Sequence, residues 1–171
     1  MIITAPRLHR RALLGGLVAA PAVLQFGRAQ ASGAYVFPLG VASGDPAPDG
    51  FVIWTRLAVD PVTPDGLGGM GGAVPVQWDI AADESFRNIV ASGRVAAEPA
   101  AAHSVHVEVE GLIPGRPYWY RFSAMGQQSP VGRARTTPAP DAAVDALRIA
   151  VASCSNWESG YFSAYGHMAD E

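Results

Sequence analysis

A period of two runs through residues 35–138, and it limits the fold of this chain more than any other feature. Val74, Val76, Trp78 and Ile80 alternate with Pro75, Gln77, Asp79 and Ala81. Val105, Val107 and Val109 alternate with Ser104, His106, Glu108 and Glu110, and Tyr118, Tyr120 and Phe122 with Trp119, Arg121 and Ser123. Successive side chains on a strand point to opposite faces, so each run presents one apolar and one polar side. A fourth run, Phe51–Leu57, is rich in β-branched and aromatic residues. Turn signals separate the runs at Gly44-Asp45-Pro46, Asp49-Gly50, the glycines between Gly66 and Gly72, and Pro114-Gly115. Short half-buried strands at this spacing predict an all-β fold, an antiparallel β-sandwich, with Val76, Trp78, Val107, Tyr118 and Tyr120 inside.

Leu112-Ile113-Pro114-Gly115-Arg116-Pro117-Tyr118 resembles the corner of Ig/fibronectin III-like domains. There a tyrosine at the start of the penultimate strand bonds back to the preceding backbone. Tyr118 is the expected corner residue. The Gly66–Gly72 loop reads as a flexible hairpin connection. It lacks the Lys-Ser/Thr ending and the following helix of a phosphate-binding loop. His103 and His106 read as solvent-facing residues of one strand face, with a metal pair as the alternative. Trp54, Trp78 and Trp119 read as core or edge packing, or as an aromatic platform for a ring-shaped ligand.

The pattern changes at both ends. Residues 1–31 read as an export signal. Arg7, His9, Arg10 and Arg11 form a basic start, Ala12 to Leu24 a short apolar run, and Ala29-Gln30-Ala31 a cleavage site. Arg10-Arg11 followed by Ala-Leu-Leu resembles a twin-arginine signal, despite His9 and Leu13 at positions that usually hold Ser/Thr and Phe. An ordinary secretory signal is the alternative. The apolar run is too short for a membrane span. Residues 32–138 are the sandwich and 139–146 a linker carrying Asp141 and Asp145. Residues 147–171 look like the truncated start of an α/β domain. Leu147–Ala152 is the expected strand, Ser153-Cys154-Ser155-Asn156 the loop at its carboxyl end, and Phe162, Tyr165, Met168 and Ala169 one stripe of a helix.

All 12 basic residues are arginine. Four lie in the first 31 residues, which contain no acid, leaving eight against 15 Asp plus Glu, a formal −7. That balance argues against a general affinity for nucleic acid or an anionic membrane. An anionic substrate would then need something other than general basicity to attract it, as a metal would. Cys154 is the single cysteine, which excludes a disulfide framework. It reads as a buried small hydrophobe, a ligand or a nucleophile.

Three stretches together carry a family resemblance. Phe37–Pro46 followed by Val52–Leu57, Asp83–Arg87 followed by Ser92-Gly93, and Ala152–Glu158 followed by Gly160–Tyr165 resemble PhoD-like alkaline phosphatase/phosphodiesterases over nearly all of residues 35–171. The resemblance implies an exported enzyme, periplasmic or extracellular, that hydrolyses phosphate mono- and diesters with iron and calcium. Some members are described as phospholipase D-like. It also implies that Cys154 matches an iron ligand. The family's later carboxylate, tyrosinate, Asn and His ligands have no counterpart within the 171 residues. The resemblance therefore implies a missing catalytic domain and a fragment inactive by itself, with no metal stably bound, no nucleic-acid partner and no stable membrane anchor. The alternative is a non-catalytic secreted β-sandwich used for binding or spacing.

Overall fold

The computed structural model describes residues 33–153, 155–156, 158 and 160–170. The export-signal reading of residues 1–31 and the assignment of Cys154 lie outside the described residues. No helix among the described residues is long and apolar enough to cross a membrane.

Eight strands form two antiparallel sheets. The first, in the order β1-β2-β5, pairs Val41–Ala47, Gly50–Arg56 and Ser104–Val109. The second, β4-β3-β6, pairs Ile89–Ala97, Val74–Ala81 and Pro117–Ala124. The short β7, Gln127–Gln128, and β8, Gly132–Arg135, both pair with β6. Two sheets facing across one core, with crossovers between them, are the arrangement of an Ig/fibronectin III-like sandwich. Ile53, Leu57, Val76, Ile80, Val105, Tyr120 and Phe122 fill that core. The alternation sets which side chains enter it. In β6, Tyr118, Tyr120, Phe122 and Ala124 are buried while Trp119, Arg121 and Ser123 are half-exposed.

Tyr118 takes the corner position. Its hydroxyl accepts the Ile113 N–H at 2.9 Å and points its own proton at the Ile113 carbonyl, 3.3 Å away. Thr136 closes the corner from the other end of the domain. It is buried, accepts the Arg116 N–H at 3.1 Å and donates to the Ile113 carbonyl at 2.8 Å. The Thr137 N–H donates to the Ala47 carbonyl at 3.0 Å, fastening the chain's exit from β8 to β1.

Several expectations need correction. Gly44-Asp45-Pro46 is not a turn. It is an irregularity within edge strand β1, where the register shifts between Gly44 and Ala47 and Asp45 has φ 46°. A proline and a bulge on an edge strand both discourage pairing with another chain. The glycine-rich loop is not a hairpin, because β2 and β3 belong to different sheets. Nor is it unstructured, since the Gly68 carbonyl accepts both the Val59 and Asp60 N–H groups. Trp78 and Val107 are half-buried at the margin of the core, while Val76, Tyr118 and Tyr120 are fully inside.

Leu147–Ala152 is not a strand among the described residues. Leu147, Ile149 and Val151 are 80%, 73% and 84% exposed. A strand needs a hydrogen-bonded neighbour, and no described segment pairs with this one. The expected helix is present as α1, Ser163–Asp170.

Candidate functional site

The loop that carries Cys154 is the site picked out by the sequence. Ser153, Ser155 and Asn156 flank it, all exposed. The Asn156 side-chain carbonyl accepts the Glu158 N–H at 3.0 Å, a local turn that competes with extended structure. The Ser155 and Tyr165 hydroxyls are hydrogen-bonded, joining this loop to the first turn of α1. Tyr165 stacks on Phe162 with ring centroids 6.1 Å apart and planes at 21°. The segment thus has the loop-then-helix order expected of it. Among the described residues no group of three or more His, Cys, Asp or Glu side chains is arranged to hold a metal ion.

The two histidines do not form a pair. His103 was expected to face solvent and is fully buried. It lies at the corner between β4 and β5, after a 3-10 turn at Pro99–Ala101, with φ 57° following Ala102 at φ 49°. These two left-handed residues turn the imidazole inward, where Nδ1 lies 3.2 Å from the Ala97 carbonyl oxygen. His106 is exposed on β5, its ring 6.4 Å from that of Trp54. Residues three apart do not share a strand face, so neither the common-face reading nor the metal pair stands.

The glycine-rich loop spends its amides on itself. The Gly66 N–H donates to the Thr63 carbonyl, Gly68 to the Thr63 hydroxyl, Leu67 to the Asp65 carboxylate and Met70 to the Leu67 carbonyl. A phosphate cradle needs such groups free and convergent. The Leu67 N–H and the Thr63 side chain hold the Asp65 carboxyl below its usual range. The β3–β4 turn repeats the device. Asp83 accepts from the Ser85 hydroxyl and from the Asn88 and Arg87 N–H groups, which lower it in turn. Both anchor turns, Asp65 exposed and Asp83 half-exposed.

One polar cluster was not legible in the alternation. Asp79 sits on the outward face of β3, yet it is 5% exposed. Arg121, opposite it on β6, donates from Nε at 3.2 Å and lies 4.1 Å over the Phe86 ring. The Gln77 amide donates to the other carboxylate oxygen at 3.1 Å. An Asp and an Arg 42 residues apart in sequence carry no local sign that they will meet.

The sequence and the fold can now be set beside known proteins. The family described as PhoD-like phosphatase, N-terminal domain, matches residues 20–138. Alkaline phosphatase D of Bacillus subtilis (strain 168) is 53% identical over 137 residues, which cover 80% of this chain and 23% of that protein. The solved structure of PhoD superposes with a TM-score of 0.76 and 53% identity, over 81% of this chain and 26% of that one. A fibronectin type III domain derived from the human KIAA0970 protein overlaps more distantly, with a TM-score of 0.41 and 11% identity over 68% of this chain and 84% of that domain. This chain thus spans about a quarter of the length of the PhoD proteins it matches. The matched region includes the whole sandwich, and the chain belongs to the PhoD-like phosphatase family, whose N-terminal domain it carries.

Proposed function

We propose that this chain is the N-terminal portion of an exported, metal-dependent alkaline phosphatase/phosphodiesterase. The observation that supports this most is the 53% identity to alkaline phosphatase D, which extends beyond a β-sandwich of general use. In this reading residues 32–138 form the sandwich, 139–146 a linker, and 147–171 the first strand, loop and helix of a metallophosphatase domain. Leu147, Ile149 and Val151 are then the exposed apolar side chains of a strand that pairs within that domain. Phosphate mono- and diesters are the substrates, and a phospholipase D-like description is compatible with phosphodiester hydrolysis.

Cys154 is assigned as an iron ligand, with calcium as the second metal of the centre. A thiolate suits ferric iron, and the cysteine thiol would give up its proton on binding. The described residues do not supply the rest of a donor set, so no hydrolytic step is assigned to them. The metals would polarise the phosphoryl group and lower the pKa of bound water. In this reading the contribution of this chain is one donor, carried at the end of the Leu147–Ala152 apolar run.

The test is a chimera of this chain with the remaining region of Bacillus subtilis alkaline phosphatase D. It should hydrolyse p-nitrophenyl phosphate and its bis ester when supplied with iron and calcium. A folded, metal-loaded chimera without turnover would overturn the reading. Export by the twin-arginine route is proposed from Arg10-Arg11 and the Ala-Gln-Ala site. Replacing both arginines by Lys should abolish the exported protein while synthesis continues, and an unchanged exported yield would refute this.

A further inference from the structure

We propose that the outward face of the β4-β3-β6-β8 sheet docks a short acidic polypeptide segment. The strand registers place four arginines on that face. Arg94 of β4 lies opposite Gln77 and Arg121 of β6 opposite Asp79, while Arg133 and Arg135 of β8 lie opposite Trp119 and Pro117. They make up half of the eight arginines outside the leader, in a body with 15 acidic residues. The body outside the leader thus separates its charge, and its formal −7 hides a basic face.

The four arginines are not equally committed. Arg121 forms the one ion pair among the described residues, with Asp79, and is packed against Phe86. Arg135 reaches the Gly115 carbonyl at 3.2 Å. Arg94 and Arg133 are exposed. Trp119, half-buried, lies opposite Arg133 and two residues from Arg121 on β6, and adds an apolar surface among the arginines. A planar guanidinium binds a carboxylate through two parallel hydrogen bonds, and an arginine beside an aromatic surface loses less freedom in doing so.

The size of the face selects the occupant. Four strands span about 15 Å, and the Debye length at physiological salt is about 8 Å. A long polyanion or an anionic membrane would extend past this footprint and meet the acids that dominate elsewhere. A polypeptide segment can confine its carboxylates to the footprint. The charge of this face does not depend on phosphate hydrolysis, so loss of either property would leave the other standing.

The probe is a twelve-residue peptide alternating Glu and Ser, titrated into the chain at low salt and followed by NMR. Saturable shifts should appear in β6, β8 and the Arg94 and Arg133 side chains. The pair Arg94→Ala and Arg133→Ala should raise Kd by about tenfold, as loss of two exposed ion pairs does. Arg148→Ala, the loss of one charge outside these strands, should leave Kd unchanged, whereas Arg94→Ala or Arg133→Ala alone should each raise it. Shifts scattered over both sheets, or equal weakening by Arg148→Ala, would overturn the proposal. Tighter binding of long-chain inorganic polyphosphate or of phosphatidylglycerol vesicles, at matched anionic charge, would also overturn it and assign the face to those partners.

Discussion

Tyr118→Phe isolates the corner of the sandwich. The ring is 2% exposed and packs against Phe51 with centroids 6.1 Å apart, and phenylalanine keeps that packing. Only the hydroxyl is lost, and with it the acceptor of the Ile113 N–H. The Ile113 carbonyl retains the Thr136 hydroxyl at 2.8 Å. Ile113 is itself 57% exposed, so water can reach the freed N–H. The penalty is therefore that of one net hydrogen bond, about 1 kcal/mol, rather than that of a buried orphan. In a domain of this size that lowers Tm by about 4–8 °C. Thr136→Val removes another side-chain bond to Ile113, and in the double variant the Ile113 carbonyl loses both side-chain donors. The two losses should couple, giving a double-variant destabilisation larger than the sum by at least about 0.5 kcal/mol. Urea unfolding of the four proteins measures this. A Tyr118→Phe midpoint within error of the parent, or strict additivity, would refute the corner as a cooperative unit.

Gly132→Ala should be costly. A Cβ there would strike the ring of Tyr120, which is 2% exposed and faces Gly132 across β6 and β8. Overpacking of this kind costs about 1–3 kcal/mol, while Gly71→Ala, where a Cβ meets nothing within 4 Å, should be close to neutral in the same urea assay. Burial pushes the Tyr120 phenol above its ordinary value of 10.0. Because the unfolded chain gives up that proton first, stability from this group is intact below pH about 10 and is lost as pH rises through the folded value. The alkaline fall of the urea midpoint should shrink in Tyr120→Phe, and an identical alkaline profile would contradict the assignment.

The parts of the fold that local pattern encodes were legible. Strand β3 over Val74–Ala81 and the outward and inward sets of β6 follow from alternation, because one face of each must enter the core. Tyr118 was legible because its corner is encoded within a few residues. What could not be read depends on contacts made at a distance. His103 looks polar in sequence, but two left-handed residues at the corner turn it inward. Asp79 is buried where Arg121, itself packed against Phe86, pairs with it from another part of the chain. The arginine face is likewise a product of register, since Arg94 and Arg133 are far apart in sequence and opposed in charge to the body around them. The motif proposed to hold a metal, Ser-Cys-Ser-Asn after an apolar run, is visible in the sequence, whereas the further donors it would need are not among the described residues.

The most direct test of the account is the iron content of the chimera, measured by plasma mass spectrometry on the purified protein alongside hydrolysis of the bis ester. With Cys154 intact, iron should be retained through gel filtration. In Cys154→Ala, iron and turnover should fall together while the urea midpoint of the sandwich stays unchanged, because the thiolate holds the metal and not the fold. Full iron occupancy and full rate in Cys154→Ala would contradict the assignment and leave Cys154 a packing residue.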